Sequence, residues 1–250
     1  MNFISVSKED GIATVTLNRG KVNALNEHLI EQLDKCFGDL ERDEAVKAII
    51  FTAQGKFFSF GFDIPEFLSY TKEAFIRYLT KFTNLYTSMF LFPKPVVAAL
   101  NGHAIAGGCM LALACDSRIM TSGKAKISLN EISFGSSVFA GSVEMLKFCV
   151  GAKNAESVLY SGAMYTAEEA IQLGLIDRIS SPENLMAEAG KAAQDLAAKE
   201  MQAFRSIKGL LRKPVAEEMV KREKDSIREF VDIWYSEKTW KNLEEIKIHS

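Results

Sequence analysis

The chain has 250 residues but only four cysteines, three histidines and a formal charge of −2. Cys36, Cys109, Cys115 and Cys149 include no CxxC pair, and three of them lie in apolar stretches. They read as small buried hydrophobes of a reducing compartment, not as a disulfide framework. His28, His103 and His249 are too scattered in sequence for a zinc motif. With 30 Lys and Arg against 32 Asp and Glu, no charge excess points to nucleic acid or acidic lipid, and neither is expected as a partner. There is no fixed-period repeat and no low-complexity linker. The opening MNFISVSKEDG lacks a basic region followed by an apolar run, and the closing KIHS is not a peroxisomal SKL signal, so a cytoplasmic location is expected.

Long apolar runs are equally scarce. The longest charge-free stretch is residues 95–115, PVVAALNGHAIAGGCMLALAC. Its length would span a bilayer. Asn101, Gly102 and His103 interrupt it, however, and Gly107 and Gly108 follow. A buried strand, a turn and a buried helix fit better, and no membrane span is expected.

The composition that remains, 48% apolar and 25% charged residues, is that of a globular protein with a substantial core. Residues 3–7 and 12–17 read as a hairpin around Asp10-Gly11. Asn26 caps a helix marked by Leu29, Ile30, Leu33, Phe37 and Leu40. Strands are expected at 46–53, 96–100 and 117–121, with a helix over about 71–91 and another at GCMLALAC. Such alternation predicts an α/β core with parallel pairing. After about residue 152 only GLIDRIS (174–180) carries a strand signal, and 183–247 reads as helical. Ile227, Phe230, Val231 and Trp234 form an apolar stripe there, continued by Trp240, Leu243 and Ile246. A tail with that many apolar anchors must pack on the core or on another subunit.

Three segments could carry chemistry. G102-H-A-I-A-G107-G108-C109 has half of a phosphate-loop pattern, but Gly108 and Cys109 stand where the lysine and hydroxyl residue belong, which excludes nucleotide-phosphate chemistry. What is left is a strand feeding a glycine-opened helix, whose free N–H groups suit an oxyanion; tight packing alone would also explain the glycines. In S59-F60-G61-F62-D63 the glycine allows an unusual turn that presents the Phe62 N–H, or simply a surface turn. Glu131 stands in I127-S-L-N-E-I-S-F-G135 with no other charge beside it. It is either a base with a raised pKa or the partner of Ser128 in a capping box. His103 reads as a packed residue, and Phe57, Phe58, Phe60 and Phe62 as core or pocket wall.

Taken in order, L17-N-R-G-K-V-N-A-L25, F58-S-F-G-F-D-I64, N101-G-H-A-I-A-G-G-C109, A114-C-D-S-R118 and A167-x-x-A-x-x-L-G-L175 resemble the crotonase (enoyl-CoA hydratase/isomerase) superfamily. The resemblance implies an α/β fold, a crotonase-type spiral of ββα units over 1–195 that binds acyl-CoA. A C-terminal helical trimerisation region would follow over 196–250, packing on the core and on a neighbouring subunit. It implies an acyl-CoA thioester substrate, an oxyanion hole at the N–H groups of Phe62 and Gly107, and CoA contacts around Lys21, Val22, Ser59, Phe60, Asp63 and Ile64. It implies no metal or redox cofactor, CoA arriving as part of the substrate, and a homotrimer or dimer of trimers.

Family hydratases carry two glutamates. The position of the first is Met110 here, and the second is kept as Glu131. This pattern is similar to the mitochondrial-type Δ3,Δ2-enoyl-CoA isomerases. It implies that Glu131 moves the proton and that Met110, Phe134 and Phe139 line the acyl pocket. Hydration, hydrolysis, decarboxylation and non-catalytic CoA binding are the alternatives.

Overall fold

A computed structural model describes residues 2–246. The elements in chain order are β1 (Ile4–Glu9), β2 (Ile12–Leu17), α1 (Glu27–Arg42), β3 (Ala48–Ala53), β4 (Phe57–Ser59), α2 (Ile64–Phe67), α3 (Lys72–Phe90), β5 (Val96–Leu100), β6 (His103–Ile105) and α4 (Gly107–Ala114). β7 (Ser117–Thr121), β8 (Ile127–Ser128), a 3₁₀ turn at Glu131–Phe134, α5 (Ala140–Ser161), α6 (Ala167–Leu173), β9 (Arg178–Ser180), α7 (Leu185–Ala197), α8 (Met201–Trp234) and α9 (Glu237–Glu244) follow.

Two sheets form from alternating strands. The larger has the order β1-β2-β3-β5-β7-β9 and the smaller β4-β6-β8. β1 and β2 are antiparallel, and every later pairing is parallel. Each pass of the chain thus lays one strand in the large sheet and the next in the small one, which is the expected spiral. β3 and β5 are buried at every position, as uninterrupted apolar runs between two covered faces should be. One face packs on α7 through Leu185, Ala189 and Ala193; the other meets the main core of α1, α3 and α4. The charge-free stretch 95–115 divides into β5, β6 and α4, and among the described residues no helix is long and apolar enough to cross a membrane.

Asn26 caps α1 as its sequence predicts, accepting a hydrogen bond from the Leu29 amide at 3.0 Å. The C-terminus of α4 is closed differently. Arg212 of α8 donates to the carbonyls of Ala114 (3.0 Å) and Cys115 (3.1 Å), and Arg118 also reaches Cys115. Cations there satisfy orphan carbonyls and offset the negative end of the helix dipole.

The tail lies on its own chain. Phe230 and Trp234 are each 1% exposed, their rings packed at a tilt against Phe139 and Phe75 of the core. Trp240 stacks on Tyr235 with ring centroids 5.1 Å apart. These aromatics therefore need no neighbouring subunit to cover them. The apolar residues that α8 leaves exposed are Ile207, Leu210, Leu211 and Val220. His249 and the rest of 247–250 lie outside the described residues, as does the end of the expected helical stretch.

Candidate active site

Two glycine turns meet at the centre of the small sheet. After β4, Gly61 adopts a positive φ of 90°, which lets its carbonyl accept from the Leu25 amide (2.7 Å) while the Asp63 amide donates to the Leu25 carbonyl (3.0 Å). After β6, Ala106 takes φ 50° and ψ −118°, a strained conformation for a residue with a Cβ. It swings the chain so that Gly107 opens α4. A Cβ on Gly61 would lie 3.0 Å from the Ile105 carbonyl oxygen and 3.3 Å from the Gly107 nitrogen, so the turns are in direct contact. A Cβ on Gly107 would meet Leu25 at 3.0 Å and the Phe62 ring at 3.2 Å.

Among the described residues neither the Phe62 nor the Gly107 N–H has an acceptor. The Leu25 bridge is made by the flanking Gly61 carbonyl and Asp63 amide, and Gly107 sits in the first turn of a helix, where N–H groups have no intrahelical partner. Free donors on two touching turns, one of them at the positive end of a helix dipole, are of the type that suits a developing oxyanion, although Gly107 is not among the lining residues of the cavity that Glu131 borders.

Glu131 opens the 3₁₀ turn after β8 and is 4% exposed. Burial pushes its carboxyl up to about 8. Its Oε2 has no hydrogen-bond partner among the described residues. The capping box read from Ser128-x-x-Glu131 does not form: the turn starts at Glu131 with Asn130 as its cap, and the Ser128 hydroxyl donates to the Ala163 carbonyl at 2.7 Å. A buried, unpaired carboxyl is costly to the fold and calls for a functional reason.

That carboxyl borders a cavity of about 300 Å³. It is lined by Phe60, Phe62 and Ile64 after β4, by Ile105 and Ala106 before α4, and by Asn130, Glu131, Ser133, Phe134 and Phe139. Phe230, Trp234 and Ile246 of the tail also line it. The enclosure is apolar apart from a few polar groups, as small-molecule sites are. Glu131 is the one carboxylate among the described lining residues.

The structure brings Glu131, Phe62, Phe134, Phe139, Phe60 and Ile64 to this cavity. Met110 is not among its lining residues. It lies one turn into α4, where every residue from Gly107 to Ala114 is buried, and its side chain (1% exposed) belongs to the main core. Ser59 is fully buried as well: its hydroxyl donates to the Asn23 carbonyl (2.8 Å) and accepts from the Gly61 amide (3.2 Å). Its side chain therefore braces the oxyanion turn and is not available to CoA. Asp63 is likewise engaged, paired with Arg19 at 2.6 Å and capping α2 through the Glu66 amide. The Val22 carbonyl accepts from the Phe60 amide at 2.9 Å. Lys21 and Lys56 are exposed on adjoining turns, a Cβ on Gly55 lying 3.8 Å from the Lys21 carbonyl.

Sequence reasoning missed two kinds of residue. Asn23, in the left-handed region at φ 48°, donates from Nδ2 to the carbonyls of Gln54 (3.0 Å) and Phe57 (2.9 Å) and accepts from the Arg19 amide. It ties loop 18–25 to the strand that carries the site. An Asn in a tight turn was the available signal. The tail residues Phe230, Trp234 and Ile246 gave none, because helical periodicity says which face is buried and not against what.

The chain was compared with known proteins. A family model described as "Enoyl-CoA hydratase/isomerase" matches residues 7–245. A short-chain-enoyl-CoA hydratase of Clostridium acetobutylicum is 32% identical over 198 residues, covering 78% of this chain and 76% of that protein. A probable enoyl-CoA hydratase of Bacillus subtilis is 35% identical over 214 residues, covering 84% and 82%. Among solved structures, human mitochondrial delta3-delta2-enoyl-CoA isomerase superposes with a TM-score of 0.93 at 26% identity, covering 97% of this chain and 96% of that one. With the paired turns, the buried carboxyl and the spiral in place, the chain belongs to the enoyl-CoA hydratase/isomerase family.

Proposed function

We propose that the protein shifts the double bond of an enoyl-CoA from the 3 to the 2 position, with Glu131 as the base that removes and returns the proton. The observation that carries this reading is the single carboxylate on the cavity wall: among the described lining residues Glu131 stands there alone, and Met110 occupies the position of the first family glutamate. In this reaction the thioester acidifies the α protons. Glu131 takes one, and the electron pair moves through the thioester carbonyl to give a dienolate. The N–H groups of Phe62 and Gly107 stabilise the charge on oxygen; losing one such donor typically costs about 10²–10³ in rate. Glu131, now protonated, delivers the proton to the γ carbon and ends as the carboxylate it began as. Water addition would require a second acid/base group to hold and activate the water.

A carboxyl held near 8 by burial suits both halves of the cycle, since it accepts and releases a proton close to neutral pH. The reaction needs neither metal nor redox group. CoA enters with the substrate, and under this reading its adenine runs along the backbone near residues 59–64, with Lys21 and Lys56 as exposed cations for its phosphates. The apolar stripe Ile207, Leu210 and Leu211, spaced to share one helix face, would join copies of the chain into a trimer or a dimer of trimers. Light scattering tests that assembly, and a stable monomer near 28 kDa would refute it.

Hydration is the second reading, favoured by the hydratase names of the Clostridium and Bacillus relatives. Mass spectrometry and absorbance on 3-enoyl-, 2-enoyl- and 3-hydroxyacyl-CoA separate the two. Isomerisation predicts conversion of the 3-enoyl thioester to the 2-trans product, with only slow loss of 2-enoyl absorbance afterwards. Fast hydration by the wild type would overturn it.

A further inference from the structure

The tail holds the loop that carries Glu131. The 3₁₀ turn from Glu131 to Phe134 is a single turn, closed by the Ser133 amide on the Asn130 carbonyl (2.9 Å) and the Gly135 amide on the Ile132 carbonyl (3.1 Å). One turn of 3₁₀ helix is weak on its own. Its last carbonyls are taken by α9: Asn242 Nδ2 donates to Phe134 (3.0 Å) and Thr239 Oγ1 donates to Gly135 (2.7 Å). Thr239 is 3% exposed, and its hydroxyl accepts in turn from Ser236 Oγ at 3.1 Å, so that Ser236, Thr239 and Gly135 form one chain of hydrogen bonds. The fit is close on both sides. Gly135 has φ 84°, and a Cβ there would lie 3.3 Å from Thr239 Oγ1 and 3.4 Å from Asn242 Nδ2.

The same tail also contacts the segment after Phe62. Tyr235, between α8 and α9, donates to the Tyr70 carbonyl at 2.6 Å, just beyond the α2 segment that continues from Phe62. The tail thus bonds both to the segment after Phe62 and to the turn of Glu131, while among the described residues nothing pairs with Glu131 Oε2.

We propose that α9 is a latch that sets the position of Glu131 over the cavity, with Thr239 and Asn242 as its positioning residues. This rests on the reading of Glu131 as the base. The two hydrogen bonds hold the C-terminal end of the turn, and the first residue of that turn carries the carboxyl. Releasing them lets the turn unwind, moves the carboxyl off its line to the substrate and admits water to it.

The test uses full-length Thr239→Val, Asn242→Leu and Thr239→Ser, with Glu131→Gln beside them and 3-hexenoyl-CoA as substrate. The latch predicts that Thr239→Val and Asn242→Leu each lower kcat by about ten- to a hundredfold, the penalty of a misplacement near 1 Å, with KM changed far less. It predicts that Thr239→Ser, which keeps the hydroxyl, restores most of the rate. The acid limb of the pH profile should also move to lower pH in the two apolar variants, because water reaching Glu131 removes the desolvation that raises its pKa. Hydrogen exchange at the Gly135 and Ser136 amides should quicken in both, which reads the latch without reference to turnover. A loss of rate shared by Thr239→Ser, or unmoved pH limbs and exchange in the apolar variants, would overturn the latch while Glu131→Gln remains inactive. Wild-type turnover in Glu131→Gln would overturn the base assignment and the latch with it.

Discussion

On one side of the cavity, the turn that carries Phe62 is braced from several directions. The Arg19–Asp63 pair, the Ser59 hydroxyl on Asn23, the Asn23 amide on two carbonyls and the Leu25 bridge all hold it to its neighbours. On the other side, Glu131 sits on a single 3₁₀ turn, with one carboxyl oxygen unpaired and bonds to a distant helix at the turn's far end. Under the proposed function the difference matches the tasks. An oxyanion donor works by already being where charge develops, so it profits from rigidity. A base that lifts a proton from one carbon and returns it to another must keep its carboxylate free of competing partners.

The largest effect expected from breaking this pairing is at Glu131. Glu131→Gln should cut isomerase turnover by about 10²–10⁴-fold, measured as appearance of 2-enoyl absorbance, while circular dichroism stays native. On the braced side, Gly61→Ala places a side chain at φ 90° and within 3.0 Å of the Ile105 carbonyl oxygen, against the turn that carries Gly107. Turnover should fall by about 10²-fold through displacement of the donors, with a loss of Tm that Glu131→Gln does not share.

The pH dependence sharpens the contrast. The base form of Glu131 is needed, so kcat/KM should rise with pH through an apparent pKa near 8 and level off above it. The same shift acts on stability. The folded state holds this proton more tightly than the unfolded chain does. Stability is therefore lost as pH rises from the ordinary glutamate range through about 8, by an amount of order a few kcal/mol. Glu131→Gln removes that cost. Its stability advantage in urea titrations should be larger at pH 9 than at pH 5; an equal advantage at both would count against a buried, uncompensated carboxyl. The smallest effect belongs to Asp63→Ala, which breaks the Arg19 pair and the α2 cap. It should cost about 1–3 kcal/mol of stability and only a few-fold in turnover, since the Leu25 bridge still holds the Phe62 turn.

Most of the fold was legible along the chain. The strand at 96–100 and the strand at 117–121 fall where β-branched and apolar runs place them, and Asn26 and Thr71 cap α1 and α3 by ordinary local chemistry. The turns at Gly61 and Gly107 were legible too, because each sits in a short motif whose backbone conformation is dictated locally. Ser59 and Asp63 were expected beside CoA, and their side chains tie loops of the chain together. Nothing in their types distinguishes a hydroxyl or carboxylate that meets a ligand from one that ties two loops together; only the burial of Ser59 and the position of Arg19 decide it. Met110 was expected on the pocket wall because it lies one turn from Gly107. Helical spacing fixes its direction along α4, but the packing of α4 into the core decides whether the cavity reaches it.

By itself the sequence determined which segments become strands and helices, where the chain turns on glycine, and that a lone glutamate stands in an apolar neighbourhood. These depend on steric limits and periodicity within a few residues. Tertiary structure alone decided that two glycine turns more than forty residues apart come into direct contact. It also decided that the tail closes the cavity of its own chain with Phe230 and Trp234, and that α9 holds the turn of Glu131. Those contacts join residues far apart in the chain, and their partners are selected by how whole faces pack, which no local pattern encodes.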